Sequence, residues 1–377
     1  MIKKINNPKF LSAKFLIIPS PLPNELLSSW LVRTAYAHHT HPHTFMNLHF
    51  GQKYGYVFHN NIDISISNKD IEKILNKCRH KIDVKNLTLK TYETYLQEKI
   101  INNGSNKFLC DLRFCPLCLK EDPVVYFRKQ WKIAFYTICQ KHLCFLLTEC
   151  PNCNTKIDIS KMHSNTYSFK YCYKCKFELS SSHPSLIDSH LLQHLPQHKK
   201  LISALHNGYI TFQKRPVYSF YFFDVLLQLT KKLLRNNKHK FFDFHESFQY
   251  LKSINKMRIK PIGNLITIQQ QYILFTLLIH LFENYPYNFI EYIKANKLSH
   301  WQLTQDMDYV PFWYETLVNE ISPQVVPFSK LVTDEEIEAA KKYLLANNIP
   351  INKANLTRLL GCNFFSSYND LKERISH

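Results

Sequence analysis

The pattern of apolar and polar positions predicts helices at both ends of this chain. Leu27, Trp30, Leu31 and Thr34/Ala35 recur at helical spacing and form one face, and a second short helix is expected from about His43 to His49. Two short helices with a tight joint are the ingredients of a helix-turn-helix unit. Farther along, Tyr218–Leu229 and Ile268–Phe282 are apolar nearly all round, as buried helices of an α-domain are. Tyr221, Phe222 and Phe223 accordingly read as core rather than as a platform for stacked bases.

At the C-terminal end, Thr333-Asp-Glu-Glu336 is a capping box, and Ile337, Ala340 and Leu344 continue its helix to about Asn347. Pro350 breaks it, Asn352 can cap a second helix, and Gly361 ends that one. A third helix, about 366–376, places Tyr368, Leu371 and Ile375 inside and Asn369, Lys372 and Arg374 outside. Such a trihelical unit is either a helix-turn-helix module, its third helix meeting bases or phosphates, or a plain bundle used for packing or dimerisation.

In the middle, Asp122-Pro123 reads as an N-cap followed by proline at the first helical position. Phe127, Trp131, Ala134, Phe135 and Ile138 then form an apolar helical stripe, with Lys129 and Lys132 on the opposite face and Arg128 on the flank. Those three cations are candidate contacts to nucleic acid or an acidic partner; the competing reading is a solvated face.

Charge and glycine content narrow the function. The 377 residues carry a formal net charge of +19, which suits a polyanionic partner such as nucleic acid or a membrane surface. Lysine dominates, however, at 39 Lys to 9 Arg in a chain rich in Asn, Ile, Phe and Tyr, so an AT-biased genome explains part of the excess. The six glycines have neither the G-x-G-x-x-G nor the G-x-x-x-x-G-K-[ST] spacing, which argues against a P-loop ATPase or a dinucleotide-binding enzyme. The polar, basic opening residues and the lack of an apolar run near ~20 residues predict a cytoplasmic chain without a membrane span.

The cysteines carry the sharpest signal. Cys115-Pro-Leu-Cys118 precedes Cys139-Gln-Lys-His142 by twenty residues, and Cys150-Pro-Asn-Cys153 precedes Cys172-Tyr-Lys-Cys175 by eighteen. A C-x-x-C turn presents two thiolates to one ion, and a second pair about twenty residues on completes a tetrahedron. The simplest assignment is two sequential structural Zn2+ sites, Cys115, Cys118, Cys139 and His142 and then Cys150, Cys153, Cys172 and Cys175; interleaved pairing is the alternative. Cys78, Cys110, Cys144 and Cys362 are left out as small buried hydrophobes. The run His38-His-Thr-His-Pro-His43 reads as a solvated turn.

Arg113-Phe-Cys-Pro-Leu-Cys-Leu-Lys-Glu-Asp122, Tyr126-Phe-Arg-Lys-Gln-Trp131 and the two following Cys-x-x-His and Cys-x-x-Cys pairs resemble the zinc-binding core of the TniQ/TnsD family, the target-site selectors of Tn7-like transposons. Pro23-Asn-Glu-Leu-Leu-Ser-Ser-Trp-Leu-Val-Arg33, ahead of Phe45 and Phe50-Gly51, is similar to the family's opening pattern. The resemblance spans about 30–180 and implies a protein without catalytic activity. Such a protein binds target DNA directly, or docks as a homodimer on an RNA-guided CRISPR complex, and hands the site to an AAA+ regulator that recruits the transposase.

The expected fold is therefore mainly α. It comprises a helical, helix-turn-helix-like N-terminal domain (1–108), a tandem zinc-knuckle segment (109–180), a helical domain (181–325) after a hinge at Ser180–Pro184, and the trihelical unit (326–377). The rival functions are a zinc-finger, sequence-specific DNA-binding regulator unrelated to transposition and, from the enzyme class, a zinc-dependent nuclease or transposase. Closed ligand sets and the lack of an identifiable acidic triad argue against the enzymes.

Overall fold

The computed structural model describes residues 13–51, 62–92, 111–162, 168–212, 215–235, 267–305, 307, 309–322 and 333–360. The fold is mainly helical. One compact unit comprises Met1–Leu298 and Gln302–Leu317, and a second comprises Ser299–Trp301 and Val318–His377.

The first unit opens with an extended strap that leads into α1 (Leu27–Ala37) and α2 (Pro42–Phe50). Phe15 of the strap is buried against Phe45, His49 and Phe50, and the Trp30 indole donates to the Pro19 carbonyl at 2.8 Å. His38 does not sit in a freely solvated turn, because its Nε2 accepts from the Leu16 and Ile17 amides at 3.1 and 3.3 Å. Helices α3 (Ile62–Ser65) and α4 (Asn68–Lys77) follow, then two 3-10 turns at Lys85–Leu87 and Leu89–Tyr92.

The central segment departs from its predicted helix. A short helix, α5 (Pro116–Glu121), lies before Asp122, and Asp122 is its C-cap residue rather than the start of the next helix. The stripe from Phe127 to Ile138 contains only a 3-10 turn, Lys129–Lys132. Its backbone is drawn into bridges instead: Glu25 pairs with Arg128, and Ile138 with Phe145. Trp131 and the residues from Ile133 to Cys139 are all buried, so the segment is covered on every side and its apolar spacing marks no single face. Phe135 stacks on Phe223 at 5.1 Å between centroids and meets Phe275 edge-on.

Two short antiparallel ladders complete the unit: β1 (Cys144–Phe145) with β2 (Ser185–Leu186), and β3 (Tyr209–Phe212) with β4 (Arg215–Tyr218). At the expected hinge, Leu179–Ser181 forms a 3-10 turn in contact with α5, and Ser180 and Ser182 are buried. Helices α6 (Ser189–Leu192), α7 (Leu195–Asn207), α8 (Ser219–Arg235), α9 (Ile268–His280) and α10 (Tyr287–Asn296) supply the rest of its helical core. Phe222 and Phe223 are in that core, as expected, and the α9 helix opens on a Thr267/Gln270 capping box. Ile138, Phe145, Leu191, Tyr272, Ile273 and Leu277 form one apolar cluster, so the central segment is built onto α9.

Two further helices, α11 (His300–Thr304) and α12 (Phe312–Ile321), precede the C-terminal pair. There the Thr333/Glu336 capping box starts α13 (Asp334–Ala346), and the Asn352 side chain accepts from the Asn355 amide at the start of α14 (Lys353–Leu360). Ala340, Leu344 and Leu356 pack together with Ile351 and Leu360 against them. The third predicted helix lies outside the described residues, as do Asn369, Lys372 and Arg374. No described helix is long and apolar enough to cross a membrane.

Candidate metal centres and the clasp around them

Four knuckles present the candidate ligands, and three of them close through a residue of left-handed φ. In each, the amide four residues after the first cysteine donates to that cysteine's carbonyl: Leu143 to Cys139 (2.8 Å), Asn154 to Cys150 (2.8 Å) and Lys176 to Cys172 (3.0 Å). Those three residues all have left-handed φ, between 49° and 63°. Asparagine adopts that conformation readily, whereas Leu143 and Lys176 adopt it at a cost that the closed knuckle must offset. The fourth knuckle is helical: Pro116 occupies the first turn of α5, and the Cys115 thiol accepts from the Cys118 amide.

The knuckles meet in sequential pairs. Cys115, Cys118, Cys139 and His142 bring one donor atom each to within 4.8 Å of one another, and Cys150, Cys153, Cys172 and Cys175 do the same. In the first cluster His142 Nδ1 lies 3.3, 3.4 and 3.4 Å from the sulfurs of Cys115, Cys118 and Cys139, and Cys118 and Cys139 are 3.6 Å apart. In the second, the Cys150–Cys175 and Cys153–Cys172 sulfur distances are 3.6 and 3.7 Å. A tetrahedral ion with metal–sulfur bonds of about 2.3 Å has sulfur–sulfur edges of roughly 3.8 Å, so both clusters have the dimensions of an ion-sized cage. Each could hold a metal ion.

Of two neighbours of the first cluster, Glu121 escaped sequence reasoning, whereas Cys144 is the small buried side chain outside the ligand set that was expected. The Glu121 carboxylate lies 2.9 Å from His142 Nε2 and pairs with Lys141 at 2.7 Å, which leaves Nδ1 turned to the sulfurs. Those two partners hold the Glu121 carboxyl below the usual carboxylate range. Cys144, fully buried, places its sulfur 3.7 Å from that of Cys115, yet it is not one of the four convergent donors. Glu121 offered no signal in the sequence.

Around the first cluster the N-terminal helices form a clasp of buried charges. Glu25 is completely buried, pairs with Arg33 at 2.6 Å, and accepts from the Ser29 hydroxyl and the Leu22 amide at 3.0 Å each. Burial pushes its carboxyl up, against the pull of Arg33. The Ser29 hydroxyl in turn accepts from the Phe127 amide at 3.0 Å. Helix α1 has no side-chain cap of its own; Asp63 of α3 supplies one, accepting from the Ser28 amide at 2.8 Å and the Ser28 hydroxyl at 2.9 Å.

The expected basic outer face is not formed, because all three cations are engaged within the molecule. Arg128 pairs with Asp122 at 2.8 Å and lies over the Tyr126 and Trp131 rings. Lys129 is only 4% exposed and donates to the Asn86 carbonyl at 2.6 Å and the Thr91 hydroxyl at 3.0 Å; burial pushes its ammonium down to about 8. Lys132 pairs with Asp63 at 3.1 Å. The second cluster is tied in as well: the Tyr36 hydroxyl donates to the Met162 carbonyl, and the Phe169 ring packs on Tyr36 and Phe127.

The comparisons with known proteins fit this geometry. No curated protein matches the chain significantly. Residues 16–146 match the family model described as TniQ, a span that begins within the strap, contains the clasp and the first metal cluster, and ends before the second. Over this block, about a third of the chain, the sequence is similar to the TniQ family.

Proposed function

We propose that this chain is the target-selection protein of a Tn7-like transposon. It engages target DNA, directly or through a DNA-targeting complex such as an RNA-guided CRISPR effector, and recruits an AAA+ regulator that brings the transposase. The observation carrying this reading is the TniQ match over 16–146, the block that the buried Glu25–Arg33 and Asp63–Lys132 pairs hold together. The chain itself performs no catalysis in this scheme. The partner supplies nucleotide hydrolysis, in keeping with the missing glycine-rich phosphate loop.

The ions are proposed to be two structural Zn2+, held by Cys115, Cys118, Cys139 and His142 and by Cys150, Cys153, Cys172 and Cys175. Sulfur-rich, four-donor cages of this size suit Zn2+, and four protein donors leave no position for water or substrate. Bound zinc would supply folding free energy, on the order of 10–16 kcal/mol per site. The four-part division at 108, 180 and 325 belongs to the same proposal, as do a cytoplasmic location and outward contacts from Asn369, Lys372 and Arg374.

The test is an electrophoretic titration of the zinc-loaded full chain on attachment-site DNA and on random duplex at one stated salt concentration, followed by addition of the AAA+ regulator with ATP. A ternary complex that forms on target DNA only when the chain is present supports the reading. A regulator that loads equally without the chain, in the presence of any guiding complex, contradicts it.

A further inference from the structure

The segment that follows α4 is apolar inside and basic outside. Val84, Leu87, Leu89 and Tyr92 are buried, whereas Arg79, Lys81 and Lys85 are exposed and Lys90 is half-buried. Between Glu72 and Glu93 the chain has one acid, Asp83, against six Lys and Arg. Two of the six are engaged: Lys73 pairs with Asp70 at 3.3 Å, and Lys77 donates to the Ala13 carbonyl at 3.1 Å. Among the described residues, Arg79, Lys81, Lys85 and Lys90 take part in no ion pair. Asp83 is occupied in the turn itself, accepting from the Asn86 amide at 3.1 Å.

The second observation is that these cations stand on a fixed and short scaffold. The Thr88 amide and hydroxyl donate to the Lys85 carbonyl at 3.1 and 2.7 Å, and the Thr91 hydroxyl donates to the Thr88 carbonyl at 3.0 Å. From beneath, the buried Lys129 ammonium holds the Asn86 carbonyl and the Thr91 hydroxyl, which fastens the segment to the residues between the two halves of the first metal cluster. A fully extended chain spans about 3.6 Å per residue, so the backbones of Arg79 and Lys85 lie within about 22 Å of each other. That is less than one turn of a duplex, about 34 Å.

We propose that this segment grips the phosphate backbone of duplex DNA through Arg79, Lys81 and Lys85. A duplex carries one negative charge per ~1.7 Å of its axis, so cations spaced this closely can all meet phosphates at once. What the surface lacks decides against other occupants. Among the described residues from 62 to 92, no large apolar or aromatic side chain is exposed. A single strand would need rings on which to stack its bases, and a protein partner would need an apolar centre in which lysine is scarce. The choice of DNA over duplex RNA rests on the target-selection reading; the basic surface itself does not.

The experiment is fluorescence anisotropy of the zinc-loaded full chain with a labelled duplex, titrated at several salt concentrations. Arg79→Ala/Lys81→Ala/Lys85→Ala is expected to lose about thirtyfold or more in duplex affinity, and the slope of log affinity against log salt should shrink by about 3. Phosphates carry no sequence information, so attachment-site and random duplexes should lose equally. Lys81→Arg/Lys85→Arg is expected to bind as the parent does. Lys174→Ala/Lys199→Ala/Lys342→Ala removes the same net charge from exposed lysines on three other elements and should cost less than about threefold. Metal content and circular dichroism of every variant should match the parent. Unchanged duplex binding by the first variant overturns the proposal, as does an equal loss in the second triple variant. Tighter binding to duplex RNA than to duplex DNA also overturns it, and so does a parent chain that binds anionic vesicles but no duplex. A chain that loads the regulator at its target while the first variant binds duplex as the parent does refutes this segment alone; target selection then stands.

Discussion

Lys132 pairs with Asp63 at 3.1 Å and thereby fastens the segment between the two halves of the first metal cluster to the helix that caps α1. The lysine is an internal strut rather than an outward contact. Lys132→Ala would leave a nearly buried Asp63 with only its Ser28 donors among the described residues. Breaking a buried ion pair costs roughly 3–5 kcal/mol, and because Lys132 keeps some access to water the expected loss is about 2–3 kcal/mol. Urea denaturation should show it as a lower midpoint, while duplex-DNA affinity of the folded variant stays within about twofold of the parent. A variant with parental stability and weakened DNA binding would return Lys132 to the DNA-facing role.

Arg33→Ala should be more damaging, because Glu25 is fully buried and loses the only cation paired with it among the described residues, with an expected cost of about 3–5 kcal/mol. Arg33→Met/Glu25→Gln, which removes both charges, should recover a large part of that loss. Equal destabilisation of the single and double variants would show that the pair is not coupled.

Metal analysis of purified protein should give close to two zinc ions per chain; one or none would contradict the two-cage assignment. Cys115→Ser and Cys172→Ser should each lose an ion and unfold part of the first unit, whereas Cys144→Ser should retain both, since Cys144 lies outside the convergent donors. Glu121→Gln should fold and still weaken metal retention at the first cluster by about tenfold, through loss of the carboxylate that orients His142.

The pH dependence follows from two histidines that burial keeps neutral, His49 pushed down to about 4 and His198 to about 3. Lys77 and His38 add to the depression at His49. Both rings take up protons in the unfolded chain near pH 6.5 but not in the folded one, so stability is intact above that pH and falls as pH drops from about 6.5 towards 4 and 3. Each such proton contributes a slope of about 1.4 kcal/mol per pH unit. His198→Leu should therefore be less stable at pH 7, through loss of the Tyr272 stack and the bond to Thr276, yet show a shallower acid limb. An acid limb as steep as the parent's would contradict the assignment.

What the sequence made legible was whatever depends on local spacing. Four paired knuckles identified eight convergent donors, and caps such as Thr333 with Glu336 located helix starts to within a residue. The segment from Phe127 to Ile138 was misread because helical periodicity reports a helix only when one side faces water; here the N-terminal strap, α8 and α9 cover both sides. Lys129 and Lys132 looked like a polar face for the same reason, since their partners Asn86, Thr91 and Asp63 are about 40 to 70 residues away in sequence, whereas Arg128 is held by Asp122 close by in the chain. Asp122 was the right residue type for a cap and sits at the opposite end of a different helix.

The most direct measurement of target selection is the map of transposon insertions in cells that supply the transposase, the AAA+ regulator and any guiding complex, with and without this chain. Insertions should concentrate at one target when the chain is present and scatter or cease when it is absent, with Cys115→Ser behaving as the absence. An insertion map that is unchanged by deleting the chain would contradict the target-selection function outright.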